Sequence, residues 1–178
     1  KECTLPLGQN DLHKRAQPLI QRIGLQQEFG TRDLTEWFLE LASPRETDRV
    51  LDIGCGSGNH LLPFAKLCAA GTGLDVSEEL LDAAGNSART LDLHHVRLIR
   101  ASGDAFDLPG EAYDIIMCNF AIYYMDAPEV ILRMARHLAP GGAAYVMGSP
   151  DENAQELMDI HAQATEFVPP TYAPGYSD

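Results

Sequence analysis

The chain has 178 residues, 45% of them hydrophobic and 22% charged, which is enough to bury the core of one ordinary domain but not of two. Its 13 basic and 26 acidic side chains give a formal net charge of -13. This weighs against bulk binding to nucleic acid or an anionic membrane, because phosphate contacts draw on an excess of Lys and Arg.

In chain order, residues 11–23 place Leu12, Ala16, Leu19, Ile20 and Ile23 at helical spacing, with a kink or late start at Pro18. Thr31 reads as the N-cap of a second helix, with Asp33 in its first turn. Leu34, Trp37, Phe38 and Leu41 form its apolar stripe, and Ser43-Pro44 is its stop. From residue 49 strands alternate with helices. The predicted strands are 49–53, 73–76, 96–100, 113–118 and 143–147. The predicted helices are 61–68, one capped by Ser77 with Glu78 and Glu79 in its first turn, and 128–138 with Pro128 at its first position. Pro140-Gly141-Gly142 is read as a break before the fifth strand, and 153–167 as a final helix. This rhythm specifies an α/β fold, a doubly wound, mostly parallel sheet. The expected organisation is an N-terminal helical cap over 1–44, the α/β core over 45–150, and a C-terminal helix with a Pro-rich tail over 151–178.

Four cysteines at 3, 55, 68 and 118 form neither a C-x-x-C pair nor a zinc-like spacing. No metal site is expected, and buried reduced thiols point to a reducing, cytoplasmic setting. No run approaches the ~18 apolar residues of a membrane span, and the segment Lys1-Glu2-Cys3 does not read as a signal peptide.

Ligands of such sheets bind outside the carboxyl ends of the strands. The first strand ends in Gly54-Cys55-Gly56-Ser57-Gly58, where glycines let a ligand lie against the main chain at a helix N-terminus. Asp75 follows the second strand, 21 residues after Gly54, where a carboxylate can accept bonds from two ribose hydroxyls; its plain alternative is a turn or helix-capping aspartate. Loop and acid together indicate an adenosine-type nucleoside. The run is G-x-G-x-G with Asn59 in the third-glycine position of a dinucleotide loop, and no P-loop is present; a ligand with ribose but no pyrophosphate fits better.

With these residues in place, the sequence resembles the class I S-adenosylmethionine-dependent methyltransferases over roughly residues 48–148. Val50-Leu51-Asp52-Ile53-Gly54-Cys55-Gly56-Ser57-Gly58 resembles the family's first motif, and Gly73-Leu74-Asp75-Val76-Ser77 its second. Gly103-Asp104-Ala105 followed by Leu108-Pro109 resembles the third. Tyr113-Asp114-Ile115-Ile116 through Asn119-Phe120-Ala121-Ile122-Tyr123-Tyr124 resembles the fourth, and Leu138-Ala139-Pro140-Gly141-Gly142 matches the turn before the fifth strand. The resemblance implies a Rossmann-like fold, with S-adenosylmethionine as cofactor and S-adenosylhomocysteine as product. It implies cofactor contacts from Asp52, Gly54, Cys55, Gly56, Gly58, Asn59, His60, Asp75, Val76, Ser77, Gly103, Asp104, Ala105, Asn119, Phe120, Ala121 and Tyr124. Asp75 would hold the ribose and Asp104 would meet the adenine amino group or cap a turn. Asp52 would steady the glycine loop, and Cys55 is a small loop residue before it is a nucleophile.

The implied reaction is in-line methyl transfer to a small-molecule acceptor. Tyr123, Tyr124, His161 and His13 are the weak candidates for a catalytic role; His94, His95 and His137 belong at the other end of the sheet. The fourth motif lacks the Pro-Pro-aromatic pattern of nucleic-acid amino methylation, so no nucleic-acid partner is expected. The acceptor atom and the oligomeric state are not readable. The family's last two strands have no counterpart in 151–178, which predicts a missing C-terminal strand pair, with low activity or self-association. The competing readings are a methyltransferase-fold protein with a regulatory or non-methylating role, a nicotinamide dehydrogenase disfavoured by Asn59, and a pure interaction module.

Overall fold

The computed structural model describes residues 33–148, all within one compact unit of the chain. The readings made for 11–23, Thr31, 153–167 and the Pro-rich tail, like those for His13 and His161, lie outside the described residues. Helix α1, Leu34–Ala42, is capped by Asp33, whose carboxylate accepts the backbone N–H groups of Thr35 and Glu36. Asp33 is therefore the cap itself and not, as the sequence reading had it, a first-turn residue behind Thr31. A carboxylate satisfies two orphan donors and complements the helix dipole at once. Ser43 ends the helix in the left-handed region (φ 47°).

Five parallel strands follow: β1 Arg49–Ile53, β2 Ala70–Asp75, β3 Val96–Arg100, β4 Tyr113–Asn119 and β5 Leu138–Met147. Their order is β3-β2-β1-β4-β5, so successive crossovers run outward in both directions from β1. Helix α2 (Leu61–Ala65) connects β1 to β2, α3 (Glu78–Thr90) connects β2 to β3, and α4 (Ala127–His137) connects β4 to β5. Helix α2 is shorter than its apolar pattern suggests, because the Leu67 N–H turns back to the Phe64 carbonyl and the chain enters β2 early. Asp126 caps α4, which puts Pro128 at its second position rather than its first. The Pro140-Gly141-Gly142 segment does not precede β5 but lies inside it. The pairing jumps from Tyr113–Leu138 to Ile115–Ala143, and the bulge takes up the extra residues with Gly141 at φ 80°.

The sheet is buried on both faces. Leu51, Ile53, Leu74, Ile116 and Cys118 pack with Val130 and Met134 of α4 on one side. Val50, Ile115 and Met117 pack with Phe38, Leu61 and Phe64 on the other. That explains why β1 and β4 read as continuous apolar runs. Strand β2 approaches α2 so closely that a Cβ on Gly73 would sit 2.7 Å from both Cys55 Sγ and Leu61 Cδ2.

The amino end of the sheet is closed by a polar cluster. Glu111 Oε2 accepts from Arg97 at 2.6 Å, from the Tyr113 hydroxyl at 2.9 Å and from Arg49 at 3.4 Å. The Arg49 guanidinium lies over the Tyr113 ring. The bond from Arg97, with help from Tyr113 and Arg49, holds the Glu111 carboxyl below its usual range. A carboxylate with a depressed folded-state pKa contributes stability above its unfolded value and loses it as pH falls through the folded one. Glu111→Gln is expected to cost about 1 kcal/mol near pH 7. The gap to the native chain should close as urea titrations are repeated below about pH 4.5.

Candidate active site

Alternation along the strands decides what reaches the carboxyl ends. On β1, Val50 faces α2, so Asp52 does too. On β4, Ile115 and Met117 face that side, so Asn119 does as well. On β2, Gly71 and Gly73 lie against Ala65 and Leu61 of α2, and Asp75 continues the series. Three neighbouring strands thus deliver Asp75, Asp52 and Asn119 to one face at one end, beside the reversal of strand order between β1 and β4.

The glycine loop joins these ends. Gly54, Gly56 and Gly58 all have positive φ (73°, 53° and 86°), a conformation that side chains disfavour. A Cβ at Gly54 would also collide with the Ala121 side chain, so the loop from β1 and the segment after β4 touch at that point. The N–H groups of Gly54 and Cys55 both donate to the Leu74 carbonyl. Asp75 then fastens the loop to β2: Oδ2 accepts from Gly56 N at 2.8 Å and Oδ1 from Ser77 N at 2.9 Å. Val76 between them is 43% exposed, an apolar surface beside a fixed carboxylate. Ser77 caps α3 through Leu80 N.

The remaining predicted residues gather around this loop with differing roles. The Cys55 thiol is buried and is pushed up, first by burial and then by Asp52 and Asp75, which suits a packed loop residue and not a nucleophile. Asn59 lies between the loop and α2. His60 turns toward α1, with Nδ1 3.4 Å from Thr35 Oγ1 and its ring edge-on to Phe38. Burial holds the His60 pKa below its usual value despite Asp33, so it is a neutral imidazole at physiological pH.

Gly103 approaches Ile53 and Met125 so closely that no side chain fits. Asp104 accepts from Ser102 Oγ at 2.5 Å and from Asp126 N at 3.1 Å, and these bonds hold its carboxyl below the usual range. It ties the β3 loop to Asp126, the cap residue of α4. Ala105 N closes the same turn onto Ser102. Phe120 adopts φ 54° and donates to the Met147 carbonyl, a strained backbone for a bulky residue at the mouth of the site. Tyr123 and Tyr124 stack edge to face at 5.0 Å in the 3-10 turn Ile122–Tyr124. His95 and His137 lie at the amino side of β3 and β5. His95 Nε2 meets the Ala65 carbonyl, and His137 bridges Leu108 N and the Arg133 carbonyl.

The site is distinguished by unmet hydrogen bonds. Asp52 Oδ1, Ser57 Oγ, and both Oδ1 and Nδ2 of Asn119 are buried without partners. Burying an unpaired polar group costs about 1–3 kcal/mol, and four such atoms around one loop describe a cradle waiting for polar atoms from a ligand. Ser57 was absent from the predicted set; a polar side chain between two loop glycines was its signal. Among the described residues no group of His, Cys, Asp and Glu can hold a metal ion, and no helix is long and apolar enough to cross a membrane. If the Asn119 amide has no protein partner, Asn119→Leu should leave the unliganded chain as stable as the native one, or more stable by about 1 kcal/mol, in a urea titration. A loss of 2 kcal/mol or more would show that the amide is already satisfied.

Comparison with known proteins places this geometry. The family described as "Methyltransferase domain" matches residues 50–142, just over half of the chain. The dTDP-4-amino-2,3,4,6-tetradeoxy-D-glucose N,N-dimethyltransferase of Saccharopolyspora spinosa is 37% identical over 108 residues, 57% of this chain and 40% of that protein. The solved structure of the cyclase SpnF superposes with a TM-score of 0.58 at 30% identity, covering 64% of this chain and 43% of that one. A methyltransferase from Thiobacillus denitrificans, solved with S-adenosylhomocysteine, shares the fold with a TM-score of 0.58 at 23% identity, covering 71% and 54%. The chain spans about half the length of the curated relatives it matches. With its five-stranded switch-point sheet, glycine loop and Asp75, the chain belongs to the class I S-adenosylmethionine-dependent methyltransferase family.

Proposed function

We propose that residues 33–148 form the cofactor-binding part of an enzyme that transfers a methyl group from S-adenosylmethionine to a small-molecule acceptor. The observation that carries the reading is the set of buried, unpartnered polar atoms on Asp52, Ser57 and Asn119 around a glycine loop fastened by Asp75. The residues suit the cofactor: Asp75, a carboxylate with lone pairs to spare, would accept from ribose hydroxyls, and exposed Val76 would offer an apolar edge to a base. The open main chain of the glycine loop admits close approach without a pyrophosphate.

The bound cofactor supplies a methyl group on a sulfonium, ready for in-line displacement by a nucleophile's lone pair. The protein's part is alignment. Asp75 and the loop fix one end of the site, and Asn119 and Phe120 the other. The Tyr123–Tyr124 pair lies past the end of β4, where an acceptor would have to approach. Tyr123 or Tyr124 is the catalytic candidate among the described residues. The acceptor is read as small and not a polyanion, in keeping with the net charge of -13. A cytoplasmic location is supported by the buried thiols of Cys55, Cys68 and Cys118.

A second reading has one specific support: the resemblance to SpnF, which is named as a cyclase. The same pocket would then hold its cofactor without transferring the methyl group. Calorimetric titration with S-adenosylhomocysteine tests what the two readings share. The native chain should bind, and Asp75→Ala should weaken binding by about 1–3 kcal/mol, roughly 5- to 150-fold. Equal binding by both would remove Asp75 from the site. Labelled methyl groups that never leave the cofactor for any metabolite pool would favour the second reading.

A further inference from the structure

The segment that follows β4 sorts its side chains into two groups. Ala121, Ile122 and Met125 pack on the core beneath α4. Interleaved with them are Phe120, Tyr123 and Tyr124, which belong to none of the described core clusters, and Tyr124 is 53% exposed. Aromatic rings dominate core energetics when they are buried, so this segment withholds its largest apolar groups from the core. Phe120 also has a backbone that its side chain disfavours. Its φ of 54° lies in the left-handed region, which glycine adopts freely and a bulky residue does not. That conformation is held from both sides: the Phe120 N–H donates to the Met147 carbonyl at 2.7 Å, and Ala121 is seated against Gly54. The two tyrosines form a corner beyond it. Their rings meet at 75° with centroids 5.0 Å apart, and a Cβ on Gly148 would lie 3.4 Å from the Tyr123 ring. The acids tied to this segment are Asp126 at its end and Asp104, which is bonded to the Asp126 N–H. Arg133, the cation that acts on Asp104, is engaged by Glu129 and the Phe106 carbonyl.

We propose that the acceptor is a neutral, planar aromatic compound, and that Phe120, beside the Tyr123–Tyr124 corner, is the residue that selects it. This rests on the methyl-transfer reading above and names the class of compound its acceptor side takes. A flat ring can lie face-on to one wall of an aromatic corner and edge-on to the other, in the offset and T-shaped arrangements that the ring quadrupoles favour. A saturated ring of the same size fills the same space and gains burial alone. An anionic acceptor would meet Asp104 and Asp126 with the neighbouring guanidinium already engaged. The left-handed backbone fixes where the Phe120 ring stands before the acceptor arrives, so less freedom is lost on binding.

The test is ligand-observed NMR titration of the full chain, saturated with S-adenosylhomocysteine. The probes are 2-naphthol and its fully saturated counterpart decahydro-2-naphthol, which share a carbon skeleton and a hydroxyl and differ in aromaticity. The native chain is expected to bind the naphthol about fivefold more tightly, the scale of one aromatic pair. Phe120→Leu, which keeps an apolar side chain without the ring, should bring the two affinities within about twofold of each other. Phe120→Gly should do the same with a urea midpoint at or above the native one, because glycine adopts this φ freely. Equal affinities in the native chain, no binding of either probe to it, or a preference that survives in either variant overturns the role of Phe120. So does a midpoint for Phe120→Gly well below the native one, which would make the ring part of the core. All of these leave the cofactor reading standing. Failure of the native chain to bind S-adenosylhomocysteine overturns the cofactor reading, and this inference with it.

Discussion

Between β1 and β4 the crossovers of this chain leave in opposite directions, and the carboxyl ends of the two strands open into a crevice between them. The backbone of the sheet is satisfied by its own ladder, but the side chains that alternation delivers to that crevice are not. Asp52 and Asn119 are buried there because their strands are central, and each keeps at least one polar atom without a partner. The same sheet reversal brings Ala121 against Gly54, so the glycine loop is positioned by both strands.

The two ends of the sheet show opposite solutions to the same electrostatic problem. At the amino end, one acid is surrounded by donors: Glu111 meets Arg97, Arg49 and Tyr113, and the hydroxyl of Tyr113 reaches Thr72 in β2. That cluster is complete and knits four strands together. At the carboxyl end, two acids approach each other with no described cation between them, and an amide has neither of its atoms bonded. Unsatisfied groups of this kind destabilise the unliganded protein, and they persist in a fold when their partners arrive with a ligand. Hydrogen bonding is completed at one end and left open at the other.

Much of this was legible in the sequence because the relevant signals are local. The bounds of β1 and β3 follow from short apolar runs between turn residues, and glycines at 54, 56 and 58 announce the loop. Asp75 is legible because strand, turn and helix cap follow one another within three residues. The errors share a cause in tertiary hydrogen bonding. Pro140-Gly141-Gly142 looks like a break, yet pairing with β4 absorbs it as a bulge inside β5. Helix α2 stops early because the chain must enter β2, which no propensity encodes. The contacts of the His60 ring with Thr35 and Phe38, from a helix distant in sequence, are likewise not encoded in its place beside the loop. The partnerless state of Ser57 and Asn119 depends on everything around them and could not be read from spacing.

The central claim is that the carboxyl-end crevice is held in readiness for a nucleoside ligand while the amino-end cluster is complete without one. Amide hydrogen exchange with and without saturating S-adenosylhomocysteine tests it directly. The account predicts that exchange slows roughly tenfold or more across residues 54–58, 75–77 and 119–121, with residues 111–114 unchanged. Protection centred on residues 111–114, or binding that leaves the glycine loop exchanging as before, would contradict it.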